Sequence, residues 1–217
     1  MRQETRNKMQ GTKRGFTLIE TMVAISILML ALIAPMSLAT ESLTVAFYAR
    51  NQITAFYLAQ EGIEIVRSVR DSNIITAASG QSVSSIFAGI PQGTTASDAP
   101  LFTVDSLQTT SNALDVCASS GPTQVCPPLQ TDGSVYGYPS ACYSAHVSNG
   151  TWQTSDCAGT DQNWKNSTFT RSIKAYPVNG SPHELRVSVT VTWQQGSFST
   201  RSVIINEDLY KWVNIGS

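Results

Sequence analysis

The longest apolar run in the chain extends from Thr21 to Thr40 and contains no charged side chain. A helix of that many residues, at about 1.5 Å per residue, is long enough to cross the roughly 30 Å hydrocarbon core of a bilayer. Pro35 lies inside the run and cannot donate a hydrogen bond to the carbonyl of Ala31, so we expect a helix kink there. A secretory signal has a shorter apolar core with a cleavage site beyond it. The pattern therefore predicts a membrane-spanning helix near the N-terminus.

Helical periodicity continues after the span. Small and apolar residues recur three or four positions apart and fall on one face of a helix. We expect that face to be buried and the helix to end near residues 70–73, where the periodicity stops. Phe47, Phe56, Tyr57 and Leu58 lie partly off the face, and core packing is the expected role of the aromatic residues among them. The face consists of Val45, Tyr48, Gln52, Ala55, Ala59, Gly62, Val66 and Val69.

Strict alternation of apolar and polar residues marks a half-buried strand in the C-terminal third, from Leu185 to Trp193. A partner strand is predicted from Thr168 to Tyr176, with a tight hairpin turn at Asn179-Gly180. A third is predicted from Phe198 to Ile205. Together they form an antiparallel meander whose apolar face packs on the helical stripe, so the predicted fold class is α+β.

The stretch from Asn73 to Pro100 is rich in Ser, Thr, Ala and Gly. It predicts connecting loops, with one short helix around Val83 to Ala88, before a first strand begins at Leu101 to Val104. At the other end of the chain, we expect a short closing turn in which Trp212 is a packed core residue.

Charge separates the two ends of the molecule. The chain has a net charge of −1, but its first fifteen residues hold five basic side chains and a single acidic one, Glu4, so the remainder carries −5. Basic residues beside an apolar span hold that end in the cytoplasm, and the rest of the chain is exported. Phosphate binding requires clustered Lys and Arg, whereas Arg67 and Arg70 alternate with Glu64 and Asp71 as in a solvated helix face. No nucleic-acid partner is expected.

All four cysteines follow the span, in an oxidising compartment if the topology is as predicted. Four cysteines allow three pairings; we favour Cys117–Cys126 and Cys142–Cys157 because short loops close most easily. Zinc is the alternative, but the chain has no C-x-x-C spacing, and His146 and His183 are isolated. Asp156 and Asp161 offer only weak support for calcium. Neither a metal nor a cofactor is expected.

Glu20 places one carboxylate at the start of the apolar run, where a charge costs on the order of 2.5–3.5 kcal/mol on insertion scales. No Lys or Arg occurs between Glu20 and Arg50, so the same helix supplies no cation. Cleavage after Gly15 would create a new amine on Phe16 at similar depth, and a neighbouring copy would present that amine to Glu20.

The segment Gly15-Phe16-Thr17-Leu18-Ile19-Glu20 resembles the class III signal of type IV prepilins and type II secretion pseudopilins. The resemblance implies that a prepilin peptidase cleaves between Gly15 and Phe16 and N-methylates Phe16, and that Glu20 neutralises the N-terminus of an adjacent subunit during assembly. Pro35 is similar in kind to the helix-breaking proline of that family. The pattern FTRSI…VSVTVTW…LYKW also resembles minor pilins of the PilV type. A generic membrane anchor is the alternative.

The implied organisation is a leader (residues 1–15), a transmembrane and assembly helix (16–40), an amphipathic helical half (41–73) and a globular head (74–217). The implied function is a non-catalytic minor pilin, held in the cytoplasmic membrane by a single span and then assembled into a filament. Its expected partners are other pilin subunits, prepilin peptidase and the inner-membrane assembly machinery. No nucleophile signature such as G-x-S-x-G is present. The alternatives are a type II secretion pseudopilin and an adhesin whose loops display Trp152 and Trp164.

Overall fold

The computed structural model describes residues 15–107, 113–120, 123–138, 164–195 and 199–212. One long helix, α1, is followed by strands that pair antiparallel, which confirms the predicted α+β class. Their contacts divide the residues into two units, with the boundary in the sequence between Phe47 and Tyr48. The elements are α1 (Leu18–Ala78), β1 (Phe102–Val104), β2 (Leu114–Val116), β3 (Ala118–Ser120), β4 (Thr123–Val125), β5 (Pro128–Thr131), β6 (Tyr136–Gly137), β7 (Lys165–Pro177), β8 (Glu184–Gln195) and β9 (Ser199–Tyr210).

Helix α1 ends at Ala78, so the predicted end near residues 70–73 is wrong. The Asn73 side chain holds the helix in place at the predicted end by donating hydrogen bonds to the carbonyls of Ile86 and Ala88, and α1 continues for about one further turn. The stop is Gly80, with φ of +83°. The N–H groups of Gly80 and Gln81 donate to carbonyls in the last turn of α1, in the Schellman arrangement that ends many helices.

The buried face of α1 begins at Ala55. Of the predicted stripe, Ala55, Ala59, Gly62, Val66 and Val69 are buried, but Val45 and Gln52 are exposed. Leu58 and Ile63 are buried as well, because a helix packed on a sheet hides a wider stripe than a strict alternation of three and four residues describes.

Three aromatic residues of α1 do not pack in the core. Phe47, Phe56 and Tyr57 are 60%, 45% and 65% exposed, so the predicted core role is wrong for all three.

Strand β7 is the centre of the sheet. One of its edges pairs with β8, and the other pairs with β1 and β5 in succession. Strands β7, β8 and β9 form the predicted meander, but β7 begins earlier than expected, at Lys165, and β9 continues to Tyr210. The connection from β7 to β8 is longer than a tight hairpin turn, although Asn179 and Gly180 both take the expected positive φ.

The core lies between α1 and the inner face of the meander, where Val187, Val189 and Val191 alternate inward as predicted. A Cβ on Gly62 would lie 3.3 Å from side-chain atoms of Arg171, Ile173 and Val189. Glycine at this position therefore lets the helix approach the sheet closely.

Three smaller predictions fail. A short closing turn is predicted from Asp208 to Val213, but residues 208–210 continue β9 and residues 211–212 have no regular secondary structure. Residues 83–88 form turns rather than a helix. Trp212 is 71% exposed, not buried. The alternation along β9 directs Leu209 inward and Tyr210 outward, and the chain then leaves the strand with the Lys211 N–H donating to the carbonyl of His183.

Arg171 joins helix and sheet at the centre of the core. Its side chain is fully buried and donates hydrogen bonds to the carbonyl of Leu58 at 2.9 Å, to Oε2 of Glu61 at 2.7 Å and to the carbonyl of Val104 at 2.6 Å. The residue occupies an inward position of β7, between Phe169 and Ile173. A buried guanidinium requires such partners, because an unpaired charge in the interior is costly.

Arg171→Met is expected to lower the free energy of unfolding by about 2–4 kcal/mol, because three buried hydrogen bonds are lost and Glu61 loses its partner. Urea denaturation of the full chain in detergent, followed by circular dichroism, measures the change. Arg186→Met is the matched control. It breaks a bidentate pair with Asp208 in which both side chains retain solvent contact, and its expected cost is below about 1 kcal/mol. Equal losses in the two variants would contradict the role assigned to Arg171.

Candidate processing and assembly site

The candidate cleavage site lies just outside the helix. Residues 15–17 have no regular secondary structure, and α1 begins at Leu18. Phe16 is 81% exposed, and a Cβ built on Gly15 would meet nothing within 4 Å. The bond between Gly15 and Phe16 is therefore presented on accessible, non-helical backbone, the form in which a peptidase can bind it.

Thr17 caps the helix that follows. Its Oγ1 accepts a hydrogen bond from the N–H of Glu20 at 3.4 Å, and its carbonyl accepts one from the N–H of Thr21. A Thr followed three residues later by Glu is the pattern of a capping box. The cap fixes Glu20 in the first turn of α1, where a carboxylate is favoured by the positive end of the helix dipole.

Glu20 is exposed, and none of the cations that the structure describes forms an ion pair with it. The hydroxyls farther along the helix are satisfied within it: Thr21, Ser26 and Thr40 each donate to a carbonyl three or four residues earlier. Among the described side chains from Leu18 to Thr40, Glu20 is the charged group, and it has no cationic partner within the described part of its own chain.

The surface around Glu20 is apolar in every direction. From Leu18 to Phe47, every large apolar side chain that the structure describes is at least 52% exposed. By its length and composition, helix α1 is long and apolar enough to cross a membrane. Such a surface is compatible with lipid or with apolar helices of other subunits. Helix α1 continues through Pro35, and the predicted kink remains a prediction.

The cysteines divide between the described and undescribed parts of the chain. Cys117 and Cys126 form a disulfide, with their Cα atoms 4.7 Å apart, and both are buried. They bracket the antiparallel pair β3–β4, in which Ser120 lies opposite Thr123. Cys142 and Cys157 lie outside the described residues, as do His146, Trp152, Asp156 and Asp161.

The remaining candidates do not assemble into a site. His183 is exposed and Trp164 is half-buried. Within the described ranges, no group of three or more His, Cys, Asp or Glu side chains is arranged to hold a metal ion.

Sequence reasoning placed Phe56 and Tyr57 of α1 partly off the buried face but favoured a core role for them, and the structure shows them exposed. Phe56 and Tyr57 meet edge to face, with ring centroids 6.5 Å apart, and Ile53 is also exposed. Their exposure could be predicted from the sequence, because all three residues lie off the face defined by Ala55, Ala59 and Gly62. Large apolar side chains that remain exposed together are typical of interaction surfaces.

A family model described as the prokaryotic N-terminal methylation motif matches residues 11–34. The matched segment contains the Gly15–Phe16 bond, Glu20 and most of the apolar run. The searches of curated proteins and of solved structures found no match. The motif, together with the long helix and the antiparallel sheet behind it, supports a chain of a kind that is processed and methylated at its N-terminus.

Non-reducing peptide mapping is expected to recover Cys142 linked to Cys157, in addition to the Cys117–Cys126 pair. The reason is export: in an oxidising compartment, two cysteines left over from the first pair are favoured to join each other. Iodoacetamide labelling without reductant provides the control, since it should modify neither residue. Free thiols at positions 142 and 157 would contradict both the pairing and the exported location.

Proposed function

We propose that this type IV pilin-like protein is a non-catalytic minor pilin, cleaved between Gly15 and Phe16 and assembled into a type IV pilus through α1. The observation that carries the proposal is Glu20, a carboxylate in the first turn of an apolar, fully exposed helix half that offers it no cation. The pilin-type motif supports assembly with other pilin subunits after processing by a prepilin peptidase.

The processing step generates the missing cation. Hydrolysis of the Gly15–Phe16 bond leaves a carboxylate on the leader and an amine on Phe16, and an N-methylated amine is also protonated at neutral pH. This amine is four residues from Glu20 in its own chain, on backbone that precedes the helix. In the proposed mechanism, the amine of one subunit neutralises Glu20 of another, so that neither charge enters the apolar core of the filament unpaired.

Topology follows from the charges around the span. The five basic residues of the leader are proposed to hold it in the cytoplasm, where prepilin peptidase acts, and the head is proposed to be exported. The disulfide between Cys117 and Cys126 supports an exported head, because disulfides persist mainly in oxidising compartments.

Before assembly, lipid covers the exposed surface from Leu18 to Phe47, and helices of neighbouring subunits replace it in the filament. Farther along α1, the exposed cluster Ile53, Phe56 and Tyr57 is proposed to take part in the same helix-to-helix contacts. The assignment as a minor rather than a major subunit is supported by the resemblance of the C-terminal meander sequence to minor pilins.

Gly15→Ala is expected to leave full-length precursor in the membrane, because a side chain at this position obstructs the peptidase. Immunoblotting of membrane fractions distinguishes the precursor from the shorter mature chain, and N-terminal sequencing should find Phe16 first only in the unsubstituted protein. Gly11→Ala, in the same leader, is the control and should be processed normally. Normal cleavage of the Gly15→Ala chain would refute the processing site.

Glu20→Ala is expected to be inserted and cleaved normally, yet to be at least tenfold depleted from sheared surface filaments, because nothing then neutralises the amine of the neighbouring subunit. Glu41→Ala removes a carboxylate from the same helix beyond the uncharged run and should assemble as usual. Recovery of Glu20→Ala in filaments at the unsubstituted level would disprove the charge-pairing mechanism. Absence of even the unsubstituted chain from surface filaments, with normal processing, would favour the pseudopilin alternative.

A further inference from the structure

Strand β9 is an open edge of the sheet. In the parts of the chain that the structure describes, it pairs with β8 alone. All twelve of its residues are in unbroken antiparallel register, from Ser199 opposite Gln195 to Tyr210 opposite Glu184. Its other side presents backbone N–H and C=O groups over about 40 Å, at roughly 3.3 Å per residue. A long, regular edge of this kind is a template for another strand.

Strand β9 lacks most of the usual protections of a strand edge. Proteins guard such edges with Lys, Pro, a bulge or an inward-pointing charge, and β9 has neither Lys nor Pro nor a bulge. Its inward charges, Arg201 and Glu207, are drawn toward α1. Arg67 donates a hydrogen bond to Glu207 at 2.5 Å, and Arg201 stacks over the ring of Tyr48 at 5.8 Å.

The remaining charge of the strand is neutralised within the sheet. Asp208 accepts two hydrogen bonds from Arg186 of β8, each at 2.7 Å. These bonds lower the pKa of the Asp208 carboxyl, just as the bond to Glu207 raises the pKa of Arg67. An approaching strand therefore meets no unpaired carboxylate on β9.

Exposed apolar side chains follow the same edge. Ile204 and Tyr210 are 60% and 54% exposed and share the outer face of β9. The neighbouring outer positions of β8 are polar; Ile204, for example, stands beside Thr190. The apolar outer surface of the meander is thus concentrated on the strand that also has the open edge, and a strand added to that edge would cover it.

Two opposite charges of β9 are arranged symmetrically about Ile204. Arg201 precedes it by three residues, and Glu207 follows it by three. In an antiparallel pair of two β9 strands centred on Ile204, Arg201 of each copy stands opposite Glu207 of the other, and the two Ile204 side chains meet. Both hydrogen bonds from Arg67 go to Oε1 of Glu207, which leaves Oε2 for Arg201 of the other copy. Opposite charges and apolar residues placed directly across an antiparallel pair both stabilise it. This self-complementarity identifies a second copy of the chain as the occupant.

We propose that β9 joins the heads of two copies of this protein by antiparallel strand pairing centred on Ile204. The contact is isologous, since the same residues serve on both sides. It uses none of the residues assigned to processing or assembly, and it goes beyond the proposed function because it connects subunits through their heads rather than through α1.

The decisive test exploits the symmetry. In R201E, both cross-strand pairs place carboxylate against carboxylate; in E207R, both place cation against cation. Each variant alone is expected to weaken association by about tenfold or more, because two favourable pairs become repulsive. An equimolar mixture of R201E and E207R should restore association, because every cross-strand pair in the mixed dimer then combines opposite charges.

Association is measured with the full chain in detergent, by energy transfer between two populations that carry different fluorophores. Damage to folding cannot be repaired by mixing two variants, so restored association would support the strand contact specifically. A mixture that associates no better than its components would overturn the proposal. Glu20→Ala should associate normally in this assay, which separates head pairing from filament assembly.

A single added cysteine locates the axis. I204C is expected to give a covalent dimer with a short bismaleimide, because position 204 lies opposite itself. I75C, on the exposed end of α1 where Ile75 is 70% exposed, is the matched control and should remain monomeric. Equal cross-linking at both positions would reject a contact centred on Ile204.

Discussion

A carboxylate on an apolar helix must be neutralised by something outside that helix, and this constraint governs the N-terminal half of the molecule. Glu20 lies in the first turn of α1, followed by twenty residues without a charge. Its own helix gives it a cap through Thr17 but no cation. The same segment also presents a cleavable bond on non-helical backbone. Under the proposed function, cleavage there releases a cation of the kind that Glu20 lacks, so processing and assembly would both answer one electrostatic requirement.

In the second unit, which begins at Tyr48, charged side chains are neutralised by partners within the same chain. Arg171 brings a full charge into the core, and Glu61 together with two backbone carbonyls accepts its hydrogen bonds. Arg67 and Arg186 likewise find carboxylates on β9. The two units therefore differ in whether their charged side chains find partners within the chain. The second unit pairs these charges internally, whereas the helical half before Phe47 leaves Glu20 without a cation and its apolar side chains exposed among the described residues.

Elements whose apolar residues repeat at a regular spacing could be predicted from the sequence. Features that depend on a single contact, such as the end of a helix, could not. The alternation from Leu185 to Trp193 and the uncharged run after Glu20 identified the meander and the span. The helix end was misplaced because Asn73 and Gly80, rather than the loss of apolar periodicity, determine where α1 stops. Trp212 was misassigned because its aromatic character was taken as a sign of burial, whereas β9 ends at Tyr210 and Trp212 lies beyond the strand. Arg171 was overlooked, although its inward position in β7 was readable once that strand was placed.

The candidate site follows the same division. The linear motif from Gly15 to Glu20 is local, so sequence alone is enough to propose the cut and to place the carboxylate. The surface of β9 depends on which strand ends the sheet, and that is a property of topology rather than of any motif. Only when β9 is an edge does the spacing of Arg201 and Glu207 about Ile204 acquire meaning. In a central strand, the same two side chains would face fixed neighbours on both sides, and their symmetry would have no physical consequence.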